Sequence, residues 1–280
     1  MMWSLRYASH LGFRSFERPL FLSSVGRLDP EAHIAFAAHL GFAGVQDPWF
    51  AQRPRADQDR ISAALLKHRL AAGCVVCGSL EDVRKPLWTG RGGTTQAELR
   101  SALTLAVDAA RRIGSRQIAV LCGEDPGKQK PAQFAAMVDN LAWAADIAGA
   151  AGLTLCLEPT NARALPGMLM NHIADGLRIV RAVDSPRVSL IFDTAHIQSM
   201  DGDLLGNLDR CWGDIEVIQI ANHPGRCEPS YGEINMSAIL KAVKSRGYEG
   251  LVELEHLWSH DDEMTERVGI EWLERVDSEL

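Results

Sequence analysis

Residues 153–158 read Leu-Thr-Leu-Cys-Leu-Glu, an aliphatic and β-branched run that follows Gly152 and ends on a carboxylate. A run of this length and composition predicts a buried strand, and a carboxylate closing a buried strand is costly unless something neutralises it. The same design recurs downstream. Residues 188–193 end on Asp193, 215–221 carry Gln219 near their end, and 251–256 carry Glu255, so successive members stand 35, 26 and 36 residues apart. Four oxygen-bearing groups converging from neighbouring strands offset that cost together by holding a divalent cation. Three carboxylates and an amide carbonyl are hard donors, which selects Mn²⁺ or Mg²⁺, with Co²⁺ also compatible, over a thiolate zinc site.

The rhythm extends in both directions. Strands are predicted at 5–10, 43–47, 72–78, 117–122, 153–158, 188–193, 215–221 and 251–256. Between them, apolar residues at i, i+3 and i+4 predict helices at 30–40, 57–70, 95–113, 132–151, 171–183, 203–212, 235–246 and 261–276. Asp29-Pro30 opens the first helix as cap and first-turn proline, and Gly41, Gly114, Gly152 and Gly247 each end one. Eight strand–helix units demand a parallel sheet with right-handed crossovers. No G-x-G-x-x-G follows the first strand, which disfavours a doubly wound dinucleotide-binding sheet. The expectation is one α/β domain over 1–280, a closed (β/α)8 barrel whose active site lies at the C-terminal ends of the strands. The long segments 79–94 and 159–170 both follow strands and so belong to that face.

Apolar residues make up 46% of the chain and charged residues 23%, enough for a large core and too apolar for disorder. A net charge of -7 argues against nucleic acid or an anionic membrane as the main partner. No apolar stretch reaches the ~20 residues that span a bilayer, and the first residues, 1–13, lack the pattern of a secretory leader, so a cytoplasmic enzyme acting on a small molecule is expected. The six cysteines do not form a disulfide framework pattern, and Cys74, Cys77, Cys122 and Cys156, in predicted core strands, read as small hydrophobes in a reducing compartment. Cys74 and Cys77 have redox spacing, but three positions along a strand put them on opposite faces.

Around the quartet stand Asn161, three residues after Glu158, and His196, three after Asp193. Arg226 and Glu233 lie in the loop after the seventh strand. His196 is expected to orient a ligand or meet a substrate oxygen, and Arg226 to clamp substrate through its planar donor fork or to pair with Glu228 or Glu233. His10, Trp49, Trp88 and Trp258 stand just past strands and are expected to wall the pocket, whereas His33, His39 and His68 fall on helices as surface or packing residues. Glu158 and Glu255 come from strands separated by two others and so face each other. That arrangement suits a 1,2-proton shift, one glutamate abstracting the proton alpha to a carbonyl and the other returning it, with a cation stabilising the enediolate charge.

At residues 155–171, 192–204, 218–235 and 247–256 the chain resembles the xylose isomerase-like TIM barrels, most closely the hydroxypyruvate isomerase and sugar epimerase families. The resemblance implies a metal-dependent isomerase or epimerase, with Glu158, Asp193, Gln219 and Glu255 as ligands, the two glutamates as acid–base pair, and His196 and Arg226 in contact with substrate. It also implies a homodimer or homotetramer. The chain departs from the hydroxypyruvate isomerases in two places. Asn222-His223-Pro224 replaces Asp-Asn-Pro, and Glu255-His256-Leu257-Trp258 replaces Glu-Tyr-Lys-Pro, removing a lysine that would meet a substrate carboxylate. Alternatives within the fold are a dehydratase using the same proton abstraction, an AP endonuclease-like phosphodiesterase and a non-catalytic ligand-binding barrel.

Overall fold

The computed structural model describes residues 3–280; Met1 and Met2, which begin the segment read for a leader, lie outside the described residues. Its strands are β1 (Arg6–His10), β2 (Gly44–Gln46), β3 (Ala71–Ala72), β4 (Val75–Val76), β5 (Gln117–Val120), β6 (Thr154–Leu157), β7 (Val188–Asp193), β8 (Ile215–Ile220) and β9 (Leu251–Leu254). All pairings are parallel, and the sheet runs β3-β2-β1-β9-β8-β7-β6-β5-β4. The third strand, expected unbroken over 72–78, is split: β3 pairs with β2, β4 with β5, and Gly73-Cys74 joins them. The Gly73 amide still donates to Val45 O at 2.9 Å, and the Cys77 amide to Ala119 O at 3.0 Å, so the ring closes through this strand. The result is the expected eight-stranded α/β barrel with one strand in two pieces.

Side-chain alternation sorts the barrel into two cores. Leu155, Leu157, Leu190 and Phe192 point outward into the large cluster under the helices. Cys74, Val76, Ala119, Leu121, Cys156, Ile191 and Val217 fill the interior. Cys74 and Cys77 therefore sit in different cores, and all six cysteines are buried and free. The helix Gly93–Ile113 shows how the outer layer is held. Its Leu99, Leu103, Ala106 and Ala110 form one fully buried stripe, and each leucine contributes roughly 1.5–3 kcal/mol by leaving water.

The glycine stops are as expected, with φ of 75°, 83°, 74° and 72° at Gly41, Gly114, Gly152 and Gly247. Asp29 precedes the helix Pro30–His39 but does not cap it with its side chain; its carboxylate takes Arg60 Nη2 at 2.7 Å instead. Two short helices were not anticipated, Leu22–Val25 and Thr194–Met200. The chain ends are tied together: Asp277 in the last helix accepts from the amides of Ser4 and Leu5 at 2.6 and 3.1 Å. Among the described residues no helix is long and apolar enough to cross a membrane.

Candidate active site

The four strand-end residues converge because their positions share one face. On β6, β7 and β8 the inward sequence is Cys156 then Glu158, Ile191 then Asp193, and Val217 then Gln219. The next step on each strand leaves the apolar interior for the barrel mouth. Glu158 and Glu255 lie one residue beyond β6 and β9, where their amides continue the ladder to Val120 O and Ile220 O, both at 3.1 Å. All four are at least nine-tenths buried.

Arg226 sits at the centre. Its Nη2 donates to Asp193 Oδ2 at 2.7 Å and to Glu255 Oε2, and its Nε donates to the Glu255 carbonyl at 2.9 Å. It pairs with neither Glu228 nor Glu233, the partners expected from sequence proximity; Glu228 accepts from Ser259 instead. Burial works against the guanidinium charge, but Asp193, Glu255 and Glu158 outweigh it and hold its pKa above the usual value. Burial pushes Glu255 up to about 8; Arg226 opposes the shift, and Glu158 and Asp193 add to it.

Asp193 has a second role. Its Oδ1 accepts the His196 amide at 2.8 Å, capping the short helix Thr194–Met200 and setting His196 over the site. The ring is fixed by Asn161, whose amide donates to His196 Nδ1 at 3.2 Å. The ring proton therefore resides on Nε2, 3.4 Å from Glu158 Oε1. Arg226 Nη1 lies 3.0 Å from the same nitrogen, a contact between donors that the adjacent carboxylates offset. Glu158, Asp193 and His196 bring ligand atoms within 4.8 Å of one another. A protonated Nε2 is a donor and offers no lone pair to a cation.

Gln219 donates through Nε2 to Glu255 Oε1 at 3.1 Å and to Glu253 Oε2 at 3.0 Å, which leaves its Oε1 buried without a partner. An orphaned carbonyl oxygen among hard anionic donors fits a divalent ion. Asn161 lies in this network, but as the holder of His196, its own Oδ1 taken by the Ala164 amide at 2.7 Å.

Four expected pocket residues lie elsewhere. Trp88 is fully buried in the outer core, under Asn140, which donates to its carbonyl at 2.8 Å. His10 has both ring nitrogens engaged, Nε2 donating to His256 O at 3.0 Å and Nδ1 accepting from Gly12 N at 3.1 Å, and it borders a separate cavity of about 160 Å³. Glu233 is exposed and accepts from Gln198 at 3.0 Å. Trp258 lines the small cavity with His10, whereas Trp49 does wall the main one.

That main cavity, about 560 Å³, is bounded by Glu158, His196, Arg226 and Glu255 on its floor and by Phe13, Arg14, Trp49 and Arg84 higher up. Segments 79–94 and 159–170 both reach it, through Leu80, Val83, Arg84, Ala164 and Leu165. Among the described residues Arg14 and Arg84 form no ion pair. Sequence reasoning missed both, and it missed Gln46, whose Nε2 donates to Glu255 Oε1 at 3.0 Å. Gln46 closes the second strand run just as Gln219 closes the seventh, a signal that was there to use.

A profile of the family described as Xylose isomerase-like TIM barrel matches residues 34–276. The chain is 31% identical over 277 residues to a putative hydroxypyruvate isomerase of Xenopus laevis, covering 91% of this chain and 94% of that one. It is 35% identical over 162 residues to a 2-oxo-tetronate isomerase of Cupriavidus necator, 58% of this chain and 62% of the relative's length. Among solved structures, a family 2 AP endonuclease from Brucella melitensis superposes with a TM-score of 0.80 at 26% identity, covering 97% and 98% of the two chains.

Proposed function

Since the chain belongs to the xylose isomerase-like TIM barrel family, we propose that it is a divalent-metal-dependent isomerase moving a proton between adjacent carbons of a small hydroxy-oxo acid. The observation that carries this reading is the pair of buried glutamates, Glu158 and Glu255, on one cavity floor with Arg226 between the acidic groups. Glu158, Asp193, Gln219 and Glu255 would hold the ion, Mn²⁺ or Mg²⁺ by donor hardness. When bound, it supplies positive charge that draws electron density from a carbonyl and acidifies the adjacent C–H.

The remaining work falls to the chain's own groups. One glutamate takes the C–H proton at a carboxylate oxygen, the hydroxyl proton passes to the former carbonyl oxygen of the enediolate, and the other glutamate delivers a proton to the neighbouring carbon. Burial raises the basicity of the Glu255 carboxylate over that of an exposed one, against the lowering that a bound cation would bring. The Nε2–H of His196 and the Arg226 guanidinium line the cavity and would donate to substrate oxygens. Trp49, Val83 and Leu165 wall the cavity with apolar surface and keep bulk water from the reacting carbons.

Both named relatives act, by their names, on 2-oxo acids. The lysine that the sequence comparison finds missing has substitutes here: Arg14 and Arg84 line the cavity unpaired and supply the cations a substrate carboxylate needs. The likeness to an AP endonuclease does not extend to a basic surface, the net charge being -7.

In D₂O, the Mn²⁺-loaded protein should place deuterium on C3 of hydroxypyruvate or a 2-oxo-tetronate, the carbon next to the carbonyl, and chelator-treated protein should not. Turnover without solvent exchange would exclude proton transfer through the glutamates. Replacing Arg14 and Arg84 by Ala, singly, should lower kcat/KM for the oxo acid about 10- to 100-fold, the worth of a charge-assisted hydrogen bond of roughly 1.5–3 kcal/mol. Unchanged discrimination between the acid and a neutral ketose would remove the anion seat from the reading.

A further inference from the structure

The barrel interior is apolar one layer below the mouth except on the ninth strand, where the inward residue under Glu255 is Glu253. This carboxylate is 2% exposed and, among the described residues, forms no ion pair with a lysine or arginine. It is accommodated at some structural expense. Its Oε1 accepts the Cys74 amide at 2.8 Å and its Oε2 faces Cys74 Sγ at 3.3 Å, which takes that amide out of the sheet ladder at the break between β3 and β4. Space for it exists because residue 73 is glycine; a Cβ there would meet Glu253 Oε1 at 2.4 Å. The third strand is thus interrupted around a buried acid that the proton-transfer chemistry does not use.

The register shows what the acid does. Gln219 and Glu253 are paired Cα partners on β8 and β9, so their side chains lie side by side on the inner face. The two hydrogens of the Gln219 amide go to Glu253 Oε2 at 3.0 Å and Glu255 Oε1 at 3.1 Å. Turning the amide over would set its oxygen against two carboxylates, so only one orientation is stable, and in it Oε1 stays free.

We propose that Glu253 is a positioning residue that locks the Gln219 amide with its oxygen available to the cation, and so sets the metal affinity of the site. The inference rests on the reading of Gln219 as a ligand. With Glu253→Gln, one oxygen still serves the Cys74 amide, but the new NH₂ group faces Gln219 and invites its amide to turn. Glu253→Val removes the acceptor outright and suits a buried position. Loss of an outer partner of a metal ligand typically lowers affinity about 10- to 100-fold.

The experiment titrates chelator-stripped wild type, E253Q and E253V with MnCl₂, following free Mn²⁺ by electron paramagnetic resonance, with thermal unfolding recorded for each. The expected result is a Kd raised about 10- to 100-fold in whichever variants fold, with wild type binding one ion. A folded variant that binds Mn²⁺ within twofold of wild type, even at a lower Tm, overturns the positioning role and leaves the metal reading standing. Wild type that binds no Mn²⁺ overturns both.

Discussion

Glu158→Gln should reduce turnover by about 10²- to 10⁴-fold while leaving the thermal unfolding midpoint where it is. The amide has the shape of the carboxylate but cannot accept a proton from carbon, and positioned acid–base groups contribute about 10²–10⁴ in rate. Metal binding through a neutral oxygen is weaker, which adds to the loss, so the assay is run at saturating Mn²⁺. Stability is expected to hold because Glu158 joins a crowded anionic set with Asp193 and Glu255, whose one guanidinium is already shared between those two. Removing a negative charge there relieves repulsion as much as it forfeits the 3.4 Å approach to His196. Steady-state kinetics of the folded variant is the check. A variant retaining a tenth of wild-type turnover would show that Glu158 is not one of the two proton-transfer groups.

The quartet was legible in the sequence because a parallel barrel imposes one rule on every strand. Inward residues alternate, and the last of them emerges at the mouth. Reading LTLCLE, VSLIFD and their successors through that rule is enough to bring Glu158, Asp193, Gln219 and Glu255 together. The rule does not say which way a residue beyond the strand will turn. Trp88 follows the third strand by a loop long enough to fold back, and it buries in the outer core instead of the cavity. His10 ends β1, yet its nitrogens are claimed by the carbonyl of His256 and the amide of Gly12, neither of which a sequence displays as a partner. The break at Gly73-Cys74 was illegible for a related reason. Its cause is Glu253, 179 residues away from Cys74, and only the closed ring places the two in contact.

Arg226→Met should destabilise the metal-free protein by about 3–5 kcal/mol, the usual cost of stripping one partner from a buried ion pair. At this chain length each kcal/mol moves Tm by roughly 2–4 °C, so a fall of about 6–20 °C is expected in the presence of chelator. The cause is specific: Asp193 and Glu255, 1% and 9% exposed at the side chain, lose the shared Nη2 donor. Mn²⁺ should narrow the gap, because it compensates the same carboxylates and stabilises the folded state by mass action. On the proposed function the guanidinium and a cation would compete for one set of oxygens, so the variant should bind Mn²⁺ more tightly than wild type even as it turns over more slowly for want of a donor to substrate. Differential scanning with chelator and with saturating Mn²⁺ separates the effects. Equal Tm values for variant and wild type in chelator would mean that the Arg226 contacts do not hold the acidic floor together, and the competition between arginine and metal would fall with them.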